Sequence, residues 1–499
     1  MTDAVFPSLI TLILALPVVG FAVVLFVPKN SHDVIRWTTL ITSIITFVVS
    51  LFLLGMDRSF GGLQWVEQTP WIPTANISYA VGVDGLSILL VLLTTLIMPL
   101  AIASSWTAIE ERVKEYYLFM LVLETGMLGV FVALDLFLFY VFWEFTLVPM
   151  YFLIGIWGGE RRTYAAIKFF LYTMAGSILM LLAILWLGIT NDTFFLPDLI
   201  GTAMPTNVER WLFLAFAAAF AIKVPLWPLH SWLPDAHVEA PTAGSVILAG
   251  VLLKMGTYGF VRFNLPLFPE ASRLFAPYIA GLAVIGIIYG AWVSYAQTDV
   301  KKLVAYSSVS HLGFVMLGIF ALNSVGVEGA ILQMVNHGLS TGGLFLMVGM
   351  LYERRHTRDM DAFGGIWRVM PVYGALSLII TLSSMGLPGL NGFVGEFSIL
   401  LGSFNSDLSF WFTAFAAVGI ILAAIYLLWM FQKVYMGPLD ENSPNAKLLD
   451  LNTREVVVLV PIVLLIFWIG LYPAPFFGLI DSSVNDLVVG LGAAVLAAR

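Results

Sequence analysis

Residues 211–233 read Trp211-Leu212-Phe213-Leu214-Ala215-Phe216-Ala217-Ala218-Ala219-Phe220-Ala221-Ile222-Lys223-Val224-Pro225-Leu226-Trp227-Pro228-Leu229-His230-Ser231-Trp232-Leu233. A bilayer-spanning helix needs about 20 mostly apolar residues, and this run has that length. Lys223 stands at its middle, with two prolines just after it. Each proline removes a backbone hydrogen bond. Broken backbone at membrane depth persists where it lines water or is buried in protein. The stretch reads as a broken membrane helix with a charge at its centre.

Thirteen other stretches meet the same length test, giving fourteen: approximately 4–27, 35–55, 83–108, 115–133, 134–157, 163–189, 211–233, 241–263, 275–296, 302–322, 327–352, 372–402, 409–435 and 454–475. Of 499 residues, 60% are hydrophobic and 11% charged, against roughly 25% charged in soluble domains. So few charges cannot clothe a water-facing surface of this size. The mean hydropathy of +0.95 agrees. The expected fold is an all-α polytopic membrane protein with about 14 transmembrane helices. The long apolar runs and weak alternation argue against an outer-membrane barrel. The first run follows Met1-Thr2-Asp3 without a basic stretch or clear cleavage site, so it is expected to be a retained span.

The same counts exclude several chemistries. With no cysteine, the chain forms no thiolate nucleophile, thiolate zinc site or cysteine-ligated cluster. A net charge of −8 offers no basic surface for nucleic acid. Neither GxGxxG nor a P-loop occurs, so redox or nucleotide chemistry would sit on partner chains. Short-loop Lys and Arg set orientation. Fifteen lie after odd-numbered segments: Lys29, Arg36, Arg112, Lys114, Arg161, Arg162, Lys301, Lys302, Arg354, Arg355, Arg358, Arg368, Lys433, Lys447 and Arg454. Arg58, Arg210, Arg262, Arg273 and Arg499 lie on the other side. That pattern puts the odd loops in the cytoplasm and both termini on the outer face of the membrane.

Three of the 23 basic residues remain, Lys168, Lys223 and Lys254, all within apolar segments. An ionisable group at mid-helix costs ~2.5–3.5 kcal/mol by insertion scales, so it faces a partner or water. Glu124, Glu144 and Glu396 lie at comparable depth, and His311 and His337 are central in segments 10 and 11. Asp135, at the tight junction of segments 4 and 5, reads as interfacial. Desolvation disfavours a charged lysine and an approaching carboxylate restores it, so a Glu–Lys pair such as Glu144 with Lys223 is a two-state element for handing on a proton. Histidine can pass a proton at either ring nitrogen. A single buried pair can be merely structural, and a lone membrane histidine can be a satisfied interhelical hydrogen bonder. A row of three lysines, three glutamates and two histidines goes beyond what pairing needs.

Segment 12 carries a second break, Met385-Gly386-Leu387-Pro388-Gly389-Leu390-Asn391-Gly392, just before Glu396. Pro225 and Pro388 are 163 residues apart, and Glu144 and His311 are 167 apart. Paired broken helices in two halves point to a transporter's ion path. Segments 4–8 (115–263) and 9–13 (275–435) would then be two inverted five-helix repeats. Segments 1–3 (1–108) would precede them, and segment 14 with a tail (454–499) would follow.

At this point the chain resembles a known family. Pro225-Leu226-Trp227-Pro228-Leu229-His230-Ser231-Trp232-Leu233-Pro234-Asp235-Ala236-His237-Val238-Glu239-Ala240-Pro241-Thr242 is similar to the signature of the antiporter-like subunits of respiratory complex I. So is Asp299-Val300-Lys301-Lys302-Leu303-Val304-Ala305-Tyr306-Ser307-Ser308-Val309-Ser310-His311. The resemblance covers nearly the whole chain and is greatest to the M-type, or chain 4, branch. Glu396 stands where L and N types usually carry lysine, and the chain ends soon after segment 14, without the long extension of the L type.

The resemblance implies roles residue by residue. Glu144 in Phe142-Trp143-Glu144-Phe145 matches the glutamate that pairs with the segment 7 lysine, here Lys223. Lys254 in Leu252-Leu253-Lys254-Met255-Gly256 matches the central lysine of segment 8. Glu396 matches the terminal proton-exchange site, and His311 and His337 the connecting residues. Glu124, Lys168, His230 and Asp235 are secondary candidates. The implied activity is proton translocation driven by NADH–quinone electron transfer. No cofactor is expected in this chain; FMN, iron–sulfur clusters and quinone belong to partner subunits. The implied partners are L-type, N-type and small membrane subunits in a lipid bilayer. Two relatives remain as alternatives: Mrp-type Na+/H+ antiporter subunits, against which Glu396 and Leu233-Pro234-Asp235-Ala236-His237 speak, and membrane subunits of hydrogenases or formate hydrogenlyase. A membrane scaffold without transport is a third reading, disfavoured by the buried charges. The electron donor is NADH or ferredoxin, and Glu239-Ala240-Pro241-Thr242-Ala243-Gly244-Ser245 is closer to the ordinary bacterial form.

Overall fold

Lipid offers the backbone no hydrogen bonds, so apolar runs fold into helices that satisfy themselves. The computed structural model describes residues 8–497, and each expected segment is helical. Helices α1 (Leu9–Phe26), α2 (His32–Ser50), α3 (Ile88–Ser104), α4 (Val113–Val132), α5 (Leu136–Trp157) and α6 (Arg162–Asn191) are followed by a split seventh segment, α7 (Thr206–Lys223) and α8 (Trp232–Glu239). Next come α9 (Thr242–Leu267), α10 (Pro269–Tyr295), α11 (Val300–Phe320) and α12 (Ser324–Arg355). The twelfth segment is split into α13 (Pro371–Ser384) and α14 (Asn391–Phe404), and α15 (Phe410–Tyr435) and α16 (Thr453–Leu471) complete the set.

Both expected breaks are present, and both satisfy their own backbone. Between α7 and α8, Leu226 N–H donates to Ala221 O at 2.8 Å, and the Trp232 indole donates to Ile222 O at 2.8 Å. Between α13 and α14, Leu387 N–H reaches Leu382 O at 3.1 Å, and the Asn336 amide donates to Asn391 O at 2.8 Å. Gly386 has φ +75°, and a Cβ there would stand 2.8 Å from a Glu396 carboxylate oxygen. A glycine is needed both for that conformation and for the approach.

Two elements depart from the sequence reading. The connection between α2 and α3 is an antiparallel hairpin, β1 (Gln64–Ile72) and β2 (Ile77–Val83), so the fold is not purely helical. It lies over helix ends at one face, hereafter the hairpin face. Glu67 accepts the Ile10 N–H of α1 at 2.8 Å, where a helix N-terminus leaves donors unpaired. Asp135 caps α5 at Phe137 N and Leu138 N and also accepts Ser78 N–H of β2 at 2.9 Å. In place of the expected tail stands α17 (Ala474–Ala497). Its length and hydropathy would permit a span, yet its partners all lie at the hairpin face. Ser482 donates to Arg58 O at 2.7 Å, Ser483 donates to Gly61 O at 2.8 Å and accepts Gly85 N–H, and Asn485 accepts from Ser324 at 2.6 Å. The helix therefore lies along that face.

The interior belongs to three helices. The span windows of α9 and α12 are 100% buried and that of α11 is 94% buried, against 39% for α1 and 28% for α2. A helix surrounded by protein can carry polar groups on any side, and these three carry Lys254, His311 and His337. α9 contains two π-helical stretches, Leu248–Leu252 and Phe260–Asn264; such turns are frequent at functional sites. At its hairpin-face end, Arg262 grips Asp84 through two hydrogen bonds of 2.5 and 2.7 Å, with both side chains under 10% exposed, and its Nε donates to Tyr258. Sequence placed Arg262 in a loop; it is a buried clamp.

Removing one partner of a buried pair costs about 3–5 kcal/mol because the other charge is left uncompensated. Arg262→Leu is therefore expected to lower the thermal unfolding midpoint of the purified complex or the amount of chain in the membrane. Adding Asp84→Leu should recover most of the loss. Equal damage from the single and double variants would contradict a charge-pairing role.

Candidate functional site

The interior polar groups form a connected cluster at the centre of α9, α11, α12 and α14. Lys254 follows the first π-helical stretch, whose wider turn presents Ala249 O to its ammonium, and that hydrogen bond is present. The Lys254 Nζ also lies 2.6 Å from His337 Nδ1 on α12. With the imidazole proton on Nε2, Nδ1 accepts from the lysine. The pair is buried: Lys254 is 0% and His337 3% exposed.

On the far side of His337 stands His311 of α11, with ring centroids 6.1 Å apart. His311 Nδ1 lies 2.9 Å from Glu396 Oε1, and its Nε2 lies 3.2 Å from the Tyr426 hydroxyl of α15. The Gln333 amide donates to the same Glu396 oxygen at 3.2 Å. With Glu396 ionised, Nδ1–H of His311 donates to it and Nε2 accepts from Tyr426. A cavity of about 10 Å³ touches both histidines and is lined further by Asn336, Ser340, Ser384 and Gly392. Ser340, Ser383 and Asn391 continue the polar lining through hydrogen bonds of 2.5 and 2.6 Å. A polar space of that size is about one water molecule's worth.

Lys223 ends α7 and is 1% exposed. Its ammonium lies 5.4 Å from the Trp143 ring and 5.6 Å from the Phe169 ring, distances at which aromatic faces attract a cation. Gly256 of α9 packs on the Lys223 turn, where a Cβ would meet Phe220 O and Val224 N, so the turns carrying Lys223 and Lys254 are neighbours. Glu144 is half-buried on α5, within electrostatic range of Lys223. No ion pair joins Glu144 to Lys223, and Glu144 Oε1 has no hydrogen-bond partner among the described residues. The pair expected from sequence is open in this structure.

The secondary candidates separate. Lys168 and Asp235 form an ion pair of 2.7 Å with side chains 20% and 29% exposed, at the face opposite the hairpin. Lys168 is thus a partly buried, paired charge on α6 beside α8 rather than an isolated one. His230 sits in the first break against Tyr289, centroids 5.0 Å apart. Glu124 is fully buried on α4, and neither of its oxygens has a hydrogen-bond partner among the described residues. The structure does not bring it into the cluster.

His237 was not singled out from the sequence. It is 0% exposed on α8, stacks on Phe345 at 4.4 Å, and neither ring nitrogen has a hydrogen-bond partner among the described residues. Its electrostatic neighbours are Lys301 and Lys254. Lys301 enters at the face opposite the hairpin and donates to Ala240 O at 2.5 Å. His237 therefore stands between that face and Lys254. The one signal in the sequence was its place in Pro234-Asp235-Ala236-His237, a histidine inside the first broken segment.

Comparison with known proteins gives the family and the fold. The family described as NADH:quinone oxidoreductase/Mrp antiporter, TM, matches residues 133–432, and NADH-ubiquinone oxidoreductase chain 4, amino terminus, matches residues 11–133. The chain is 47% identical to NADH-quinone oxidoreductase subunit M of Rhodobacter capsulatus, over 96% of each chain. It is 44% identical to subunit M of Escherichia coli K12, over 91% of this chain and 92% of that one. A chain of respiratory complex I from Thermus thermophilus superposes with TM-score 0.89 at 35% identity, covering 97% of this chain and 100% of that one. The Mrp complex from Dietzia shares the fold at 22% identity, with TM-score 0.82 over 98% of this chain and 56% of that one. With matches this long on both halves, the chain belongs to the NADH:quinone oxidoreductase chain 4 family, the M-type antiporter-like subunits of respiratory complex I.

Proposed function

We propose that this chain moves protons across the membrane as the M-type subunit of an NADH:quinone oxidoreductase. The observation that carries the reading is the row Lys254–His337–His311–Glu396, with contacts of 2.6 and 2.9 Å at its ends and 6.1 Å between the two rings. Structural pairing explains either end contact but not their alignment through two histidines and a polar cavity. Flavin, iron–sulfur clusters and quinone sit on partner subunits, and L-type and N-type subunits flank this one. The Mrp reading has in its favour the shared family model over residues 133–432 and a common fold at 22% identity, against 44–47% identity to subunits M.

Protons enter from the face opposite the hairpin, which the excess of Lys and Arg marks as cytoplasmic. His237, lying between Lys301 and Lys254, is the loading residue. Lys254 donates to His337 Nδ1, and a water against both rings carries the proton to His311. From there it reaches Glu396, beside the α13–α14 break, for release at the hairpin face. Lys223 and Glu144 form the control element. Closed, the carboxylate holds the lysine charged; open, as here, the lysine can give its proton up. Redox energy from partner subunits drives the closure, a coupling that is a free-energy link between sites. Residues 115–263 and 275–435 act as the two repeats, each with a broken helix beside its key ionisable group.

Glu144→Ala in the assembled complex is expected to nearly abolish NADH-driven proton pumping and the coupled quinone reduction, read in inverted membrane vesicles with a pH-sensitive dye. Lys223→Ala should do the same, since the carboxylate loses its switching partner. Normal pumping by either variant would sink the ion-pair mechanism.

Glu396→Gln keeps the shape of the site but cannot take up a proton. Pumping should be impaired while the complex runs intact on a native gel. Loss of assembly alone would make Glu396 a structural residue.

A further inference from the structure

Away from the proton row, the hairpin-face half of the molecule holds an apolar cleft of about 310 Å³. Its walls come from the end of α2, the first half of α3, the end of α16 and the start of α17, with Leu51, Leu92, Trp468 and Phe476 among them. The floor includes Val335 and Leu339 of α12. These two are four residues apart and so share one helix face; His337 lies on the other. Leu51 is 39% and Trp468 53% exposed, so the cleft opens sideways where the membrane lies.

One charged side chain lines it. Arg58 follows the end of α2 and is exposed. Its guanidinium makes no hydrogen bond or ion pair among the described residues, unlike Arg262 at the same face, which is held by Asp84. The elements forming the cleft end at the hairpin face, so Arg58 stands at the level where lipid headgroups meet water. An apolar slot entered from the bilayer suits an acyl chain, and a free guanidinium at its mouth suits a phosphate, which it can hold bidentately.

We propose that this cleft binds a single anionic phospholipid from the leaflet at the hairpin face. Its acyl chain runs between α2, α3 and α16 onto the back of α12, and its phosphate rests on Arg58. The lipid then fills the space behind the helix that carries His337, bracing that helix from the side away from the proton row. The site is independent of the direction or coupling of transport.

The test uses the purified whole complex, washed in detergent, with retained phospholipids quantified by mass spectrometry. Leu51→Trp narrows the cleft at an exposed position, and Arg58→Gln removes the charge at the surface; neither endangers folding. Leu51→Trp is expected to lose a single phospholipid per complex. Arg58→Gln should retain a lipid but lose the enrichment of anionic over zwitterionic headgroups. Wild-type lipid content and class in both variants would overturn the proposal, as would loss of an isoprenoid in place of a phospholipid.

Discussion

Lys254 and His337 hold each other at 2.6 Å in a place where neither has access to bulk solvent. A lysine at the centre of a bilayer costs ~2.5–3.5 kcal/mol even by insertion scales, so it must be given a partner and kept from lipid. Both demands shape the chain. The helices bearing the pair, α9 and α12, are fully enclosed, and outer helices such as α1 and α2 carry the exposed apolar surface. A π-helical stretch in α9 frees a carbonyl for the ammonium, and the break in the twelfth segment lets Glu396 approach the second histidine. The irregular backbone lies where protein can satisfy it.

The two halves of the site differ in a way that matters for transport. In the second half every member touches the next or shares a cavity with it. In the first, Lys223 rests among aromatic rings, with Glu144 near but not joined to it. In the proposed mechanism the linked row conducts and the unlinked pair switches, with a driving reaction acting by favouring the closed state of the pair. His337 uses Nδ1 toward Lys254, and His311 uses Nδ1 toward Glu396. The Nε2 atom of one ring and the cavity between them are the remaining means of transfer.

The sequence carried much of this and missed the rest for physical reasons. Apolar runs of span length marked the helices from α1 to α16, and Pro225 and Pro388 marked both breaks, because lipid leaves the backbone little choice. Lys223, Lys254, Glu396, His311 and His337 stood out as charges in apolar surroundings. What lay hidden depends on contacts between distant residues. Lys254 and His337 are 83 positions apart, and nothing local pairs them. Glu124 has the same signature as Glu396 but has no hydrogen-bond partner among the described residues. Lys168 is a partly buried partner of Asp235, its side chain 20% exposed. The hairpin in 64–83 and the helix in 474–497 are not legible in the sequence, because their order comes from docking on helix ends rather than from their own periodicity.

The central claim is that protons pass through His337, and proton stoichiometry measures it most directly. Intact complex carrying His337→Phe would be placed in sealed liposomes and the protons moved per NADH oxidised compared with wild type. Phenylalanine keeps the ring and its packing but has no nitrogen for Lys254. The account predicts fewer protons per NADH and slower coupled turnover. Unchanged stoichiometry in a correctly assembled complex would contradict it.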